Sequence, residues 1–408
     1  MKKLILLFFI IAFPHVALPQ IRDLDLPRGA DEVELPFEYV NDFIILTVYF
    51  NEILPLKFIF DTGAEYTLIT KKEITDLLQV DYQKRYSLRG ADLSTELFAY
   101  LATGVRLRVE DFSAINRSIL VLEEDYFQFE DYTGLNIQGI IGSDLFRRFV
   151  VKIDYRRQKI ILQDPSSFEP PGPKYKKMEV EIFRHKPYIF ARTQMQNDTA
   201  ITAKLLLDTG ASLPLLLYTD SDNAINIPPK TIKSNIAMGL GGYIEGYLGR
   251  IQQLQLDEFK LNDVVTNFQE FAFDIDSLNL NDRNGILGNK VLNRFTVIID
   301  YIREDVYMRG RRKFDRKFKY DRSGMTVITT GKHLNTYTVA RVIPDSPAGE
   351  AGVEEGDEIR VVNGWPVLFL SLNGINNRMR KRVGKKIRLV LRRDGEKIKV
   401  QFRLRDLI

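Results

Sequence analysis

Phe60-Asp61-Thr62-Gly63-Ala64 recurs as Leu207-Asp208-Thr209-Gly210-Ala211. Two further landmarks keep the same register to within one residue: Gly139-Ile140-Ile141-Gly142 returns as Gly285-Ile286-Leu287-Gly288, and Ile153-Asp154-Tyr155 as Ile299-Asp300-Tyr301. One Asp-Thr-Gly arises by chance in roughly one chain in ten, whereas two in matched frames mark an internal duplication. Both copies read as strand-rich. In the first, residues 43–50 and 56–60 are apolar runs joined by a short polar turn; in the second, 188–195 and 200–207 flank the turn signal Asn197-Asp198. Each Asp-Thr-Gly thus sits where a strand ends, and glycine follows because a sharp bend with close backbone approach suits a residue without Cβ.

A duplicated acid at a duplicated bend suggests a carboxyl pair. Hydrolysis of a peptide bond without a metal or covalent nucleophile needs one carboxylate to accept a proton from water and one carboxylic acid to donate to the carbonyl oxygen. Two aspartates within hydrogen-bond reach share one proton and titrate as a pair. Asp61 and Asp208 are the candidate catalytic residues. Thr62, Gly63, Thr209 and Gly210 are expected to supply the hydroxyl and amide donors that orient them. Asp154 and Asp300 repeat as well, but each stands at a strand end before a turn and is read as structural.

On these motifs the region from Phe37 to Met308 resembles the retropepsin and pepsin superfamily of aspartic proteases, with Ala64 and Ala211 closer to the retroviral branch than to the pepsins. The resemblance implies an all-β fold, a bilobal double β-barrel of N-terminal (25–164) and C-terminal (175–310) lobes that binds an extended peptide or protein substrate without a cofactor. It implies a supporting role for Gly142 and Gly288 under the Asp-Thr-Gly loops. It also implies flaps, which places Gly90, and more strongly Gly239, Gly241, Gly242 and Tyr243, among the expected substrate-binding residues. The halves are not interchangeable: four positions after the aspartate the first carries Glu65 and the second Ser212. Both are substrate-binding candidates, although Glu65 has the alternative of raising the pKa of a nearby aspartate. Without hydroxyls at positions 64 and 211 to bond the charged form, a less acidic pH optimum than a pepsin's is expected.

After residue 320 the pattern changes. Ser346-Pro347-Ala348-Gly349, Gly356-Asp357-Glu358-Ile359 and Val361-Val362-Asn363-Gly364 resemble bacterial-type PDZ domains, which are β-rich with two short helices. The resemblance implies capture of a peptide C-terminus. Ser323, Gly324 and Met325 would form the carboxylate loop, residues 325–329 the pairing strand and residues 370–380 the groove helix. The alternative for this module is a docking element that binds no free peptide.

The inventory excludes other chemistries. The 408 residues include no cysteine and three histidines, of which only His185 and His333 lie beyond the leader. No His-Glu-x-x-His pattern, thiol nucleophile or Gly-x-Ser-x-Gly elbow is present, so no metal site is expected. With 45% hydrophobic and 27% charged residues the composition is that of a globular chain of two or three domains. Cations cluster at 309–322 and 378–393, but Lys386-Ile387-Arg388-Leu389-Val390-Leu391-Arg392 alternates as a strand with one solvated face, and no nucleic-acid partner is expected. Residues 1–20 read as a secretory signal peptide, Met1-Lys2-Lys3 preceding an apolar run, and imply an exported protein, periplasmic, surface-bound or secreted. Because the second half is complete, a monomer is expected. The principal rival is a catalytically inactive, protease-shaped peptide-binding protein.

Overall fold

The computed structural model describes residues 24–27, 29–89, 96–239, 242–271, 283–331 and 333–408. Strands dominate, and no helix among the described residues exceeds the eight residues of Leu372–Met379. The duplication appears as two closed barrels. In the first, Phe112–Leu122, Leu68–Ile69, Gly139–Ile141, Leu54–Phe60, Phe43–Phe50 and Glu96–Val109 follow one another, and the two long strands pair to close the ring. In the second, Lys186–Gln194, Ala200–Asp208, Gly285–Gly288, Leu215–Tyr218, Phe259–Gln269 and Gly242–Leu256 do the same. Along Phe43–Phe50 one face sends Ile44, Leu46, Val48 and Phe50 into the main core, while Phe43 and Ile45 on the other face are buried in a second cluster.

The two lobes are not separate bodies. A six-stranded antiparallel sheet takes Glu32–Pro36, Val150–Asp154 and Lys159–Gln163 from the first half, and Lys176–Met178, Phe295–Asp300 and Asp305–Gly310 from the second. Its central seam pairs the duplicated strands with each other, Val150 opposite Asp300 through Asp154 opposite Thr296. The repeated aspartates end those strands. Asp154 accepts from the amides of Arg156 and Arg157, and Asp300 from those of Ile302 and Arg303. Residues 164–173 are more anchored than the surface connector read from their proline content, because Phe168 is buried against Tyr307.

The C-terminal module forms a six-stranded sheet with helices Pro347–Glu350 and Leu372–Met379. Asn373-Gly374 does not interrupt the second helix, since the Ser371 hydroxyl caps it by accepting from the Gly374 amide. The module has its own core, yet the segments at its two ends join the core of the two barrels, where Phe318, Tyr320 and Ile408 are buried. The Tyr320 hydroxyl accepts from the Leu407 amide at 2.6 Å and donates to Asp406, which pairs with Lys230 of the second lobe.

Burying an apolar side chain is worth about 1.5–3 kcal/mol, so a chain ending at Gly310 loses several such contributions from the two lobes themselves. It is expected to unfold at a clearly lower temperature than the full chain in calorimetry. Equal transition temperatures would show that the ends of the C-terminal module add nothing to the lobes.

Candidate active site

Each Asp-Thr-Gly follows a strand that pairs in parallel with a second copy of the Gly-x-x-Gly motif. Leu54–Phe60 lies beside Gly139–Ile141, and the Asp61 amide donates to the Ile141 carbonyl at 3.0 Å; Ala200–Asp208 lies beside Gly285–Gly288. The chain then passes beneath the loop. The Ser143 amide donates to the Ala64 carbonyl and, in the second half, that of Asn289 donates to Ala211. A Cβ on Gly142 would stand 2.5 Å from the Tyr66 carbonyl carbon, and one on Gly288 2.3 Å from the Leu213 carbonyl oxygen. Only glycine fits either position.

The two loops interlock through their threonines, both fully buried. The Thr62 hydroxyl donates to the Leu207 carbonyl at 2.6 Å and accepts from the Thr209 amide; the Thr209 hydroxyl donates to the Phe60 carbonyl at 2.8 Å and accepts from the Thr62 amide. This crossed clasp holds Asp61 and Asp208 beside each other at one cavity, each carboxyl packed against the other loop's glycine. The glycines complete the approach: a Cβ on Gly210 would lie 2.3 Å from an Asp61 carboxyl oxygen, and one on Gly63 2.7 Å from the Asp208 carboxyl carbon.

The pair is asymmetric. Burial raises the pKa of Asp61, opposed by the Gly63 amide, the Asp208 carboxyl, the Lys186 ammonium and the Ala64 amide. Burial raises Asp208 well above the ordinary value, reinforced by the Asp61 charge and opposed by the Gly210 amide and Arg283. The pair titrates as a unit, and the two amide bonds to Asp61 against one to Asp208 favour the negative charge on Asp61 and the shared proton on Asp208. Burial, not Glu65, sets the upward shift of Asp61. The Glu65 carboxylate instead bears on the Tyr66 hydroxyl and Lys186.

Several supporting residues escaped the sequence reading. Asn289 donates to the Thr209 carbonyl at 2.6 Å and accepts from the Tyr155 hydroxyl at 2.5 Å, so the tyrosine of the first Ile-Asp-Tyr braces the second loop. Tyr301, its counterpart, is buried against Phe146 of the first lobe, where its hydroxyl feels the Asp61 charge. Asp144 accepts from both the Thr67 amide and hydroxyl; burial pushes its pKa to about 6. The register of the repeat pointed to Ser143-Asp144 and Asn289, which directly follow the duplicated glycines. No signal in the sequence pointed to Lys186 or Arg283.

The aspartates stand at a cavity of about 510 Å³ that Ser212 also lines. Gly239 pairs with Gly242 at the end of the hairpin formed by Ile232–Gly239 and Gly242–Leu256, and Tyr243 pairs with Met238. Gly90 and Gly241 lie outside the described residues, as do the side chains at 239, 242 and 243. In the C-terminal module the loop expected to receive a carboxylate is already engaged. The Ser323 and Gly324 amides donate to Asp321 at 2.8 and 3.0 Å, and the Met325 amide to the Ser323 hydroxyl. The Ser323 and Gly324 amides thus face a carboxylate of the chain itself. Among the described residues no group of histidine, cysteine, aspartate and glutamate side chains is arranged to hold a metal ion.

Replacing Thr62 with valine is expected to cost about 1–3 kcal/mol, the usual penalty for stranding buried partners, here the Leu207 carbonyl and the Thr209 amide. Thr62→Ser should restore most of it. Equal melting temperatures for T62V and T62S would refute the clasp.

Two family models match the chain, over three segments. An aspartyl protease model covers residues 46–145 and again 194–291, one segment per barrel, and a PDZ domain model covers residues 338–393. A search of curated proteins finds no match. The paired segments each end at the strand and turn that support an Asp-Thr-Gly loop, and the third match falls on the module with its own core. The chain therefore carries an aspartyl protease domain built from two matched halves, followed by a PDZ domain.

Proposed function

We propose that this protein is an aspartic endopeptidase acting on peptide or protein substrates after export. The observation that carries the reading is the closely apposed carboxyl pair Asp61/Asp208, one member from each barrel, each packed against the other loop's glycine at one cavity. Such a pair supplies base and acid at once. A water between the carboxyls loses a proton to Asp61 as its oxygen attacks the scissile carbonyl carbon, while Asp208 gives its proton to the carbonyl oxygen. The resulting diol collapses as Asp61 passes its proton to the amide nitrogen. The C–N bond breaks, and one diol hydroxyl returns a proton to Asp208. No other bond forms to the protein, and the pair ends as it began.

Support for retained activity comes from what surrounds the pair. Both threonine clasps are intact, both loop glycines fit no larger residue, and cations at Lys186 and Arg283 favour the singly ionised state over the fully protonated one. Export is supported by the sequence of residues 1–20 alone, which lie outside the described residues. No helix among the described residues is long and apolar enough to cross a membrane.

The test is cleavage of a peptide library by the full-length protein. Asp61→Asn and Asp208→Asn are each expected to lower kcat by about a thousandfold or more, the scale of acid–base contributions. Cleavage that survives both variants would remove the proposal, and absence of cleavage by the wild type would favour a peptide-binding role. The pH profile of kcat/KM gives an independent check. Because both carboxyls lie above the ordinary aspartate value of 3.8, the activity should fall on the acid side at a pH above 3.8 as Asp61 gains a proton, and on the basic side as Asp208 loses one. Lys186→Met removes a cation that favours ionised Asp61, so its acid limb should move to higher pH. An unmoved limb would place Lys186 outside the site. Export is checked by cell fractionation and N-terminal sequencing of the mature chain; an intact Met1 in the cytoplasm would overturn it.

A further inference from the structure

The cavity that holds Asp61 and Asp208 does not end at the protease lobes. Its far wall is made by the PDZ strand at Met325, Thr326 and Val327 and by Asn376 and Arg380, from the groove helix and its C-terminal cap. Met325–Thr330 is an edge strand: within its sheet it pairs only with Thr336–Val342, leaving its other edge towards the helix. An unpaired edge is a template for an extended chain. Further along the same strand the groove is occupied. The Thr329 hydroxyl donates to the Glu130 carbonyl at 2.7 Å, and Gly134 comes within 3.5 Å of the Thr329 methyl and 3.7 Å of Leu372 by an added Cβ. The short protease helix Phe129–Thr133 thus sits between strand and helix, where the upstream part of a conventional terminal ligand would lie. Asn41, at the tip of a hairpin in the first lobe, donates to the Tyr132 and Thr133 carbonyls, so the otherwise orphaned C-terminal carbonyls of this helix are held from both domains.

The receptor for a terminal carboxylate is taken as well. The Asp321 carboxylate, buried, fills the turn made by the Ser323 and Gly324 amides and also accepts from the Ser323 hydroxyl at 2.6 Å. A second carboxylate arriving there would displace Asp321 and bury two like charges together, which is costly. What remains accessible is the edge of residues 325–327, on the side that opens to the aspartates. The PDZ domain is also tied to the second lobe beside this opening, where Arg341 stands 3.5 Å from Glu245 of the long hairpin strand.

We propose that the edge of residues 325–327 is a subsite of the protease cleft, taking an extended internal segment of the substrate that flanks the scissile bond and not a free C-terminus. The inference rests on the protease reading above. It assigns the PDZ domain to substrate recognition within one continuous cavity, so that length of chain around the cleaved bond, and not a terminal carboxylate, is what the module reads.

The probes are two peptides that share one scissile core found by library cleavage. One holds the core alone; the other is extended by about ten residues on each side, about 33 Å when fully stretched. Each is made with a free C-terminal carboxylate and as the amide. With the full-length protein, kcat/KM is expected to favour the long peptide by about tenfold or more, a difference near 1.4 kcal/mol, and amidation should leave that ratio unchanged. Asn376→Trp, which fills the groove from a half-exposed helix position, should bring the long-to-short ratio close to one. Equal rates for long and short peptides with the wild type overturn the proposal. So does loss of the advantage on amidation, which would make the groove a carboxylate receptor, and so does a ratio that N376W leaves intact. If no peptide is hydrolysed, the protease reading fails by itself. The subsite is then judged by fluorescence anisotropy of labelled, amidated peptides of more than twenty residues drawn from the same library, where binding that is absent, or equally tight to wild type and N376W, overturns it.

Discussion

Two carboxyls that share a proton out of bulk water will separate or recruit solvent unless the backbone beneath them is fixed. Here the fixing is done by a pair of hydroxyls that cross the boundary between barrels, Thr62 to the Leu207 carbonyl and Thr209 to the Phe60 carbonyl. Each hydroxyl also takes up the other threonine's amide, so four buried polar groups that would be costly alone satisfy one another. The remaining features of the site follow. Gly63 and Gly210 leave no atom between the acids, and Gly142 and Gly288 let a second strand pass under each loop. The shared sheet sets the two barrels at a fixed separation.

Symmetry in the backbone does not carry over to the electrostatics. Asp61 receives two loop amides and Asp208 one, and the like charge of Asp61 adds to burial in raising Asp208. The positions after the duplicated glycines diverge as well. Asp144 holds Thr67 within its own lobe, whereas Lys290 lies 3.6 Å from Asp42 of the other lobe. Tyr155 and Tyr301 make the halves interdependent, since each strand end from one barrel delivers a ring to the other barrel's loop. A duplicated fold has become one site with distinct roles for its two halves.

The PDZ domain completes the molecule more intimately than a tethered module would. Its entering segment and the chain's last residue are buried in the protease core, its edge strand shares a cavity with the aspartates, and a protease helix occupies part of its groove. Internal capture of the loop amides by Asp321 has a simple physical origin. An aspartate two residues before Ser323 reaches the amides of the turn that follows, as aspartates in turns commonly do. The same turn geometry that in the family holds a ligand carboxylate is here stabilised from within.

The duplicated Asp-Thr-Gly, Gly-x-x-Gly and Ile-Asp-Tyr motifs were enough to foresee two β-rich halves and the candidate acids, and the separate motifs between Ser346 and Gly364 the PDZ module, because each motif is a local backbone demand. Glycine is legible wherever no Cβ fits, alternation wherever a strand has one wet face, and the strand-end aspartates wherever a turn needs capping. Lys186 and Arg283 were not legible, since nothing local to them marks them, and the repeat marked Tyr301 without showing that it reaches the other half; a hairpin, a strand entry and a shared sheet carry the three towards the acids. The same holds for the meeting of Thr329 with Glu130 and for the filled carboxylate loop. Sequence by itself determined which residues could make the chemistry and the strands that present them. Only the tertiary structure decided how unequally the two carboxyls are bonded and what the PDZ edge faces, because both depend on burial and on groups brought together from distant parts of the chain.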